Sequence, residues 1–185
     1  MYSTTDFRRG LKIEYNKDPF EVVEFQHVKP GKGAAFVKTR IKNLLTGNVI
    51  DINFRSGDKF GKPDLEEKEM QFLYKDGDDY YFMDNETYEQ IFISSEQLGD
   101  NKGFLQENIS VSILFYKNRP IDIVLPNFVI LKIIKTDPGV RGDTASGGSK
   151  PAELETGHIV NVPLFINEGE VIKIDTRTGE YVERA

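Results

Sequence analysis

The sequence contains no cysteine and only two histidines, His27 and His158. The first absence removes disulfides, thiolate nucleophiles and cysteine-ligated metals, and it suits a reducing cytoplasm. The second leaves little for metal or general-base chemistry, because the two histidines lie far apart in the chain, each in a strand-like run. No apolar run approaches the roughly eighteen residues that a membrane-spanning helix needs. The opening stretch, Met1 to Arg9, has no apolar segment behind a basic start, which predicts no signal peptide. Carboxylates are plentiful, yet no pair stands apart from the acidic background. Gly142 to Gly147 has the glycine spacing of a phosphate-binding loop, but Gly148-Ser149-Lys150 follows in place of Gly-Lys-Ser/Thr, without a strand–loop–helix context. These absences predict a cytoplasmic protein that is not an enzyme, with no cofactor, no metal and no membrane.

What is present is a soluble globular chain of 185 residues, 38% hydrophobic and 29% charged, long enough for one ordinary domain or two to three small ones. The net charge of −6 is unevenly spread. Residues 1–63 hold 12 Lys+Arg against 7 Asp+Glu, residues 64–128 hold 5 against 14, and residues 129–185 hold 7 against 9. A chain polarised in this way can lay its basic end on phosphates and turn its acidic middle toward a basic protein or solvent.

Strand and turn signals recur along the whole length. Leu11 to Tyr15, Phe20 to Val28, Ala35 to Lys42 and Val49 to Phe54 read as strands, giving a small β-barrel over residues 1–63. Met70 to Met83 around Asp76-Gly77-Asp78 is the clearest hairpin. Tyr88 to Ile93, a short capped helix near Ser94 to Gly99, and strands at 109–116 and 121–125 complete a second, OB-like unit over 64–126. Phe128 to Ile134 is nearly continuous apolar and predicts a buried strand. Arg141 to Pro151 reads as a loop, and strands follow at 158–166, 171–174 and 180–182 in a third unit, 127–185. The aromatics of the middle unit (Phe72, Tyr74, Tyr80, Tyr81, Phe82, Phe92, Phe115, Tyr116) can stack bases, but in so acidic a segment core packing is the favoured expectation. The fold class predicted is all-β, three small barrels in a row.

The rest is organised around Lys29-Pro30-Gly31-Lys32-Gly33-Ala34, between two strand-like runs. Pro30 presets the second position of a turn and Gly31 supplies the positive φ of the third, leaving Lys32 at a hairpin tip between glycines. Arms of about ten residues reach about 30 Å, against a radius of gyration of about 11 Å for a domain of about sixty residues, so part of the hairpin is expected to stand clear of its core.

That stretch, continued by Ala35-Phe36-Val37-Lys38 and Leu44-Leu45-Thr46-Gly47, resembles the N-terminal domain of the bacterial elongation factor P family. The resemblance extends through Asn85 to Gln90 and Pro126 to Val129. It is most specific in the C-terminal signature: Lys150-Pro151-Ala152, Glu155-Thr156-Gly157, Val162 to Ile166, Gly169-Glu170, Asp175 to Gly179, Glu180-Tyr181-Val182 and Arg184. It implies an SH3-like barrel followed by two OB-like barrels, in an L of tRNA-like shape, acting as a monomer on the ribosome beside the peptidyl-tRNA to relieve stalling at consecutive prolines. Lys32 then reaches toward the acceptor end of the peptidyl-tRNA and is the position a lysine-modifying enzyme extends in many members. A lysyl-type extension, an aminopentanol-type extension or none stays open. Pro30, Gly31 and Gly33 shape the loop, and Lys29, Lys38, Arg40 and Lys42 neutralise tRNA phosphates. Gly142, Asp143 and Thr144 resemble the segment that approaches the exit-site codon, and Tyr181 and Arg184 the pair near the anticodon stem. Two alternatives remain: a modular SH3/OB protein- or RNA-binding protein, and the elongation-factor-P-like paralogue of the family.

Overall fold

In the computed structural model, residues 1–139 and 148–185 are described. The chain is all-β, in barrel-like sheets, with one short α-helix among the described residues. Strands run in order as β1 (Tyr2–Ser3), β2 (Lys12–Tyr15), β3 (Asp18–Val28), β4 (Phe36–Asn43), β5 (Val49–Arg55) and β6 (Lys59–Phe60). Next come β7 (Leu65–Asp76), β8 (Asp79–Asp84), β9 (Gln90–Ser94), the helix α1 (Ser95–Leu98), β10 (Ser110–Tyr116) and β11 (Arg119–Val124). The last five are β12 (Phe128–Thr136), β13 (Ser149–Leu154), β14 (Ile159–Pro163), β15 (Val171–Asp175) and β16 (Glu180–Arg184). The sheets have the orders β2-β3-β4-β5, β11-β10-β7-β8-β9 and β14-β13-β12-β15-β16, with β1 paired to β6.

Contacts divide the chain into two compact units. The first holds residues 1–67 and 114–122. Period-two alternation in β4 puts Val37 and Ile41 into its core beside Ile13, Phe20 and Val22, and turns Lys38, Arg40 and Lys42 outward. Phe7, Phe54 and Phe60 meet edge-on or tilted at centroid distances of 4.7–6.1 Å, which gives this small core a large aromatic share. The N-terminal residues are tied in by β1–β6 pairing and by Gly57 N–H donating to Thr4 Oγ1 at 2.8 Å. Tyr116 joins this unit by donating its hydroxyl to the carbonyl of Lys17 at 3.2 Å. The Asn16-Lys17 connection has both residues at positive φ, a two-residue turn whose twist suits a hairpin, so β3 starts at Asp18 and includes Pro19.

The second unit holds residues 68–113 and 123–185. The β7–β8 hairpin turns through Gly77 at φ 60°. Ser94 caps α1, its hydroxyl accepting from the N–H of Gln97 at 3.2 Å. The 3-10 segment Gly99–Phe104 then packs against the turn before β14: Thr156 donates to the Gly103 carbonyl at 2.6 Å, and His158 meets the Phe104 ring at 4.9 Å. His158 is thus a packing residue.

The expectation of a buried strand at 128–134 holds for one face only. β12 alternates, with Val129, Leu131 and Ile133 buried while Phe128, Ile130 and Ile134 are exposed. Its neighbours β13 and β15 are antiparallel, and an antiparallel sheet can leave one face to solvent, so an apolar run does not by itself mean two buried faces. The expected core role of the middle aromatics holds for Phe72, Tyr80, Phe82, Phe115 and Tyr116 and fails for Tyr74 and Phe92, which face outward.

Candidate nucleic-acid interface

The lysine stretch connects β3 to β4. The last register pair is Val28 with Phe36, so Lys29 to Ala35 form a loop beyond the paired strands. One expectation changes here. The positive φ belongs to Gly33, at 103°, and not to Gly31, so the chain reverses after Lys32 rather than before it. The part that extends beyond the sheet is the loop: β5 pairs with β4 as far as Arg55 opposite Phe36, and Val37 is fully buried. Lys29, Gly31, Lys32, Gly33 and Ala34 are exposed, and a side chain built at Gly31 would meet nothing within 4 Å. Lys32 therefore sits in open surroundings. Pro30 is half-buried and stiffens the entry to the loop.

Behind the loop, the outward faces of β3, β4 and β5 carry three rows set by register: Gln26–Lys38–Asn53, Glu24–Arg40–Asp51 and Glu21–Lys42–Val49. The middle row is internally paired. Arg40 grips Asp51 with Nε to Oδ1 at 2.8 Å and Nη2 to Oδ2 at 3.3 Å, and its Nη1 lies 3.5 Å from Glu24. The hydrogen bond from Arg40 holds the Asp51 carboxyl below the usual carboxylate range. Lys38 and Lys42 make no ion pair among the described residues. The outer two rows thus offer cations held in no ion pair among the described residues, although Glu21 lies opposite Lys42, while the middle row braces the sheet.

The same face forms a shallow concavity of about 600 Å³, where Arg9 joins Phe25, Gln26, Lys38 and Asn53. Arg9 is the residue that sequence reading passed over. The Arg8-Arg9 doublet was a visible signal, but nothing in the local pattern brings the N-terminal segment beside β3 and β4.

The C-terminal candidates differ in setting. Tyr181 is half-buried on β16 and lines a small hollow with Val160 and Val162. Arg184 is engaged: its Nε lies 3.1 Å from Glu170, its guanidinium stacks 4.8 Å from the Phe165 ring centre, and its Nη2 donates to the Phe165 carbonyl. Gly142, Asp143 and Thr144 lie outside the described residues.

Comparison with known proteins accounts for the whole chain. Three family models match in order: the elongation factor P KOW-like domain over residues 3–60, the elongation factor P OB domain over 65–123, and the elongation factor P C-terminal domain over 129–184. The chain is 56% identical to elongation factor P of Desulfitobacterium hafniense and 56% identical to that of Moorella thermoacetica, covering 100% of this chain and of each relative. It is 53% identical to elongation factor P of Carboxydothermus hydrogenoformans, again across both full lengths. Among solved structures, translation initiation factor 5A from Methanococcus jannaschii superimposes with a TM-score of 0.57 at 19% identity, over 67% of this chain and 91% of that one, a likeness of fold. The chain belongs to the elongation factor P family, and it is a translation elongation factor.

Proposed function

We propose that the protein binds the ribosome beside the peptidyl-tRNA and promotes peptide-bond formation at consecutive prolines by orienting that tRNA, without catalysing the chemistry itself. The observation that carries this reading is Lys32, exposed in a loop beyond the last strand pair, in open space and backed by the cationic rows of β4. Proline has a locked φ and is a poorly oriented nucleophile and donor. The ribosome supplies the reaction centre, so a helper needs only to hold the substrate in attacking geometry. Orientation is worth several kcal/mol, and each ~1.4 kcal/mol is about tenfold in rate. A lysine amine, bare or lengthened by a modifying enzyme, bonds phosphate or ribose oxygens, and the flanking glycines leave room for close approach. Lys29, Lys38 and Lys42 meet tRNA phosphates, and Arg40 fixes the face between them. Three barrels, 1–63, 64–126 and 127–185, serve this reading, with the third carrying Gly142-Asp143-Thr144 toward the exit-site codon and Tyr181 and Arg184 toward the anticodon stem. The positions of the three family matches support that division.

The test is synthesis of a Pro-Pro-Pro reporter in a purified translation system lacking this factor, with protein from its native host beside the Lys32→Ala variant. Rescue by the first only, at unchanged thermal stability, is the expected result, since an exposed loop substitution costs no more than about 0.5 kcal/mol. Equal rescue by both removes Lys32 from the mechanism.

A further inference from the structure

On the outer face of β7, β8 and β9, the register pairs Tyr74 with Tyr81 and Tyr81 with Phe92. The rings form a continuous row: Tyr74 and Tyr81 are stacked at 4.8 Å and 16°, and Tyr81 and Phe92 lie 5.9 Å apart. Phe72, Tyr80, Phe82 and Ile93 occupy the opposite, buried face, so this row is not core. Tyr74 is 45% and Phe92 58% exposed. A bulge between Phe72 and Tyr74 creates the alignment, because unbroken pairing would set Leu73 opposite Tyr81.

One step along the same face, Asp76 pairs with Asp79. Like charges directly opposite each other weaken a sheet, and neither carboxylate has an ion-pair partner among the described residues. Lys75, next in sequence, lies over the Tyr80 ring on the other face. Burial, then Asp79, Tyr74 and Asp76, push the Tyr81 hydroxyl upward, which puts both carboxylates within electrostatic reach of the row. Cross-strand ring pairs add to sheet stability, but the facing carboxylates oppose it, so stability alone does not account for the combination.

We propose that this face docks a basic, arginine-bearing protein segment, with a guanidinium stacked on the Tyr74–Tyr81–Phe92 row and hydrogen-bonded to Asp76 and Asp79. Arginine fits better than lysine, since its plane stacks on rings while its fork bonds carboxylates and its hydration is weak. The surrounding charge selects protein over RNA: residues 64–128 carry 14 Asp+Glu against 5 Lys+Arg, which repels a phosphate backbone.

The full chain, ¹⁵N-labelled, is titrated by NMR with a short arginine-glycine peptide, its lysine-glycine counterpart and an oligouridine. The arginine peptide should shift the Tyr74, Tyr81, Phe92, Asp76 and Asp79 amides and bind at least about threefold tighter than the lysine peptide, the scale of one exposed cation–π contact. Phe92→Ala and Phe92→Leu should each weaken it by a similar factor, and the Asp76→Asn/Asp79→Asn pair should weaken it and flatten its salt dependence. Thermal melts of each variant separate loss of binding from loss of fold, and Phe92→Leu keeps the apolar area if Phe92→Ala does not fold. Equal binding of both peptides, shifts indifferent to Phe92, or oligouridine on the row instead would overturn the proposal.

Discussion

Lys38 and Arg40 stand two residues apart on one face of β4, yet only Arg40 is flanked by carboxylates in its own register row. This separates two effects that a sequence cannot. Because Arg40 depresses the Asp51 carboxyl, the pair contributes stability that is present above the ordinary carboxylate range and is lost as pH falls through the lowered value. Arg40→Gln should therefore lower the melting temperature at pH 7, with the difference closing below about pH 4, as thermal melts across pH will record. Gly103 tests packing instead. An ideal Cβ there would lie 2.6 Å from the His158 ring and 2.9 Å from its Cβ, too close for any rotamer change to relieve fully. Gly103→Ala should cost about 1–3 kcal/mol by denaturant titration. The loss should shrink in a His158→Ala background, as coupled neighbours require.

Strands were largely legible as elements, because alternation and turn chemistry are local: β4, the β7–β8 hairpin and the Ser94-capped α1 each carry their signal within a dozen residues. What was not legible depends on partners distant in sequence. The pairing of Tyr2–Ser3 with Lys59–Phe60 has no local signature, and neither does the arrival of Arg9 beside β3 and β4. The loop carrying Lys32 was legible in composition but not in conformation, since either flanking glycine satisfies a turn rule and only Gly33 takes the positive φ. β12 shows the same limit for burial, because its apolar run does not state which face is covered. Its alternation yields a paired prediction. Leu131→Ala, at a fully buried position, should cost about 2–5 kcal/mol. Ile134→Thr, at a position 51% exposed, should stay within about 0.5 kcal/mol, its β-branched shape being kept. Equal losses in denaturant titrations would contradict the observed face.

At the scale of the whole molecule, the proposed binding to tRNA requires a chain of net charge −6 to concentrate its cations, and 12 of its Lys+Arg lie in residues 1–63. Affinity for RNA then depends on which of those cations release counterions from phosphates, not on total charge. Each phosphate neutralised contributes a salt-dependence slope of about 0.7–0.9 in log affinity against log salt. Lys38 and Lys42, without ion pairs among the described residues, should each contribute close to that amount. Arg40 already has Asp51 and Glu24 beside it, so few counterions remain for it to displace. Ribosome binding measured from 50 to 200 mM salt should accordingly lose about one unit of slope on Lys38→Gln or Lys42→Gln and clearly less on Arg40→Gln. Should Arg40→Gln flatten the slope as much as either lysine change, the Glu24–Arg40–Asp51 row must open on binding, and Arg40 would rank with the lysines as a direct phosphate contact.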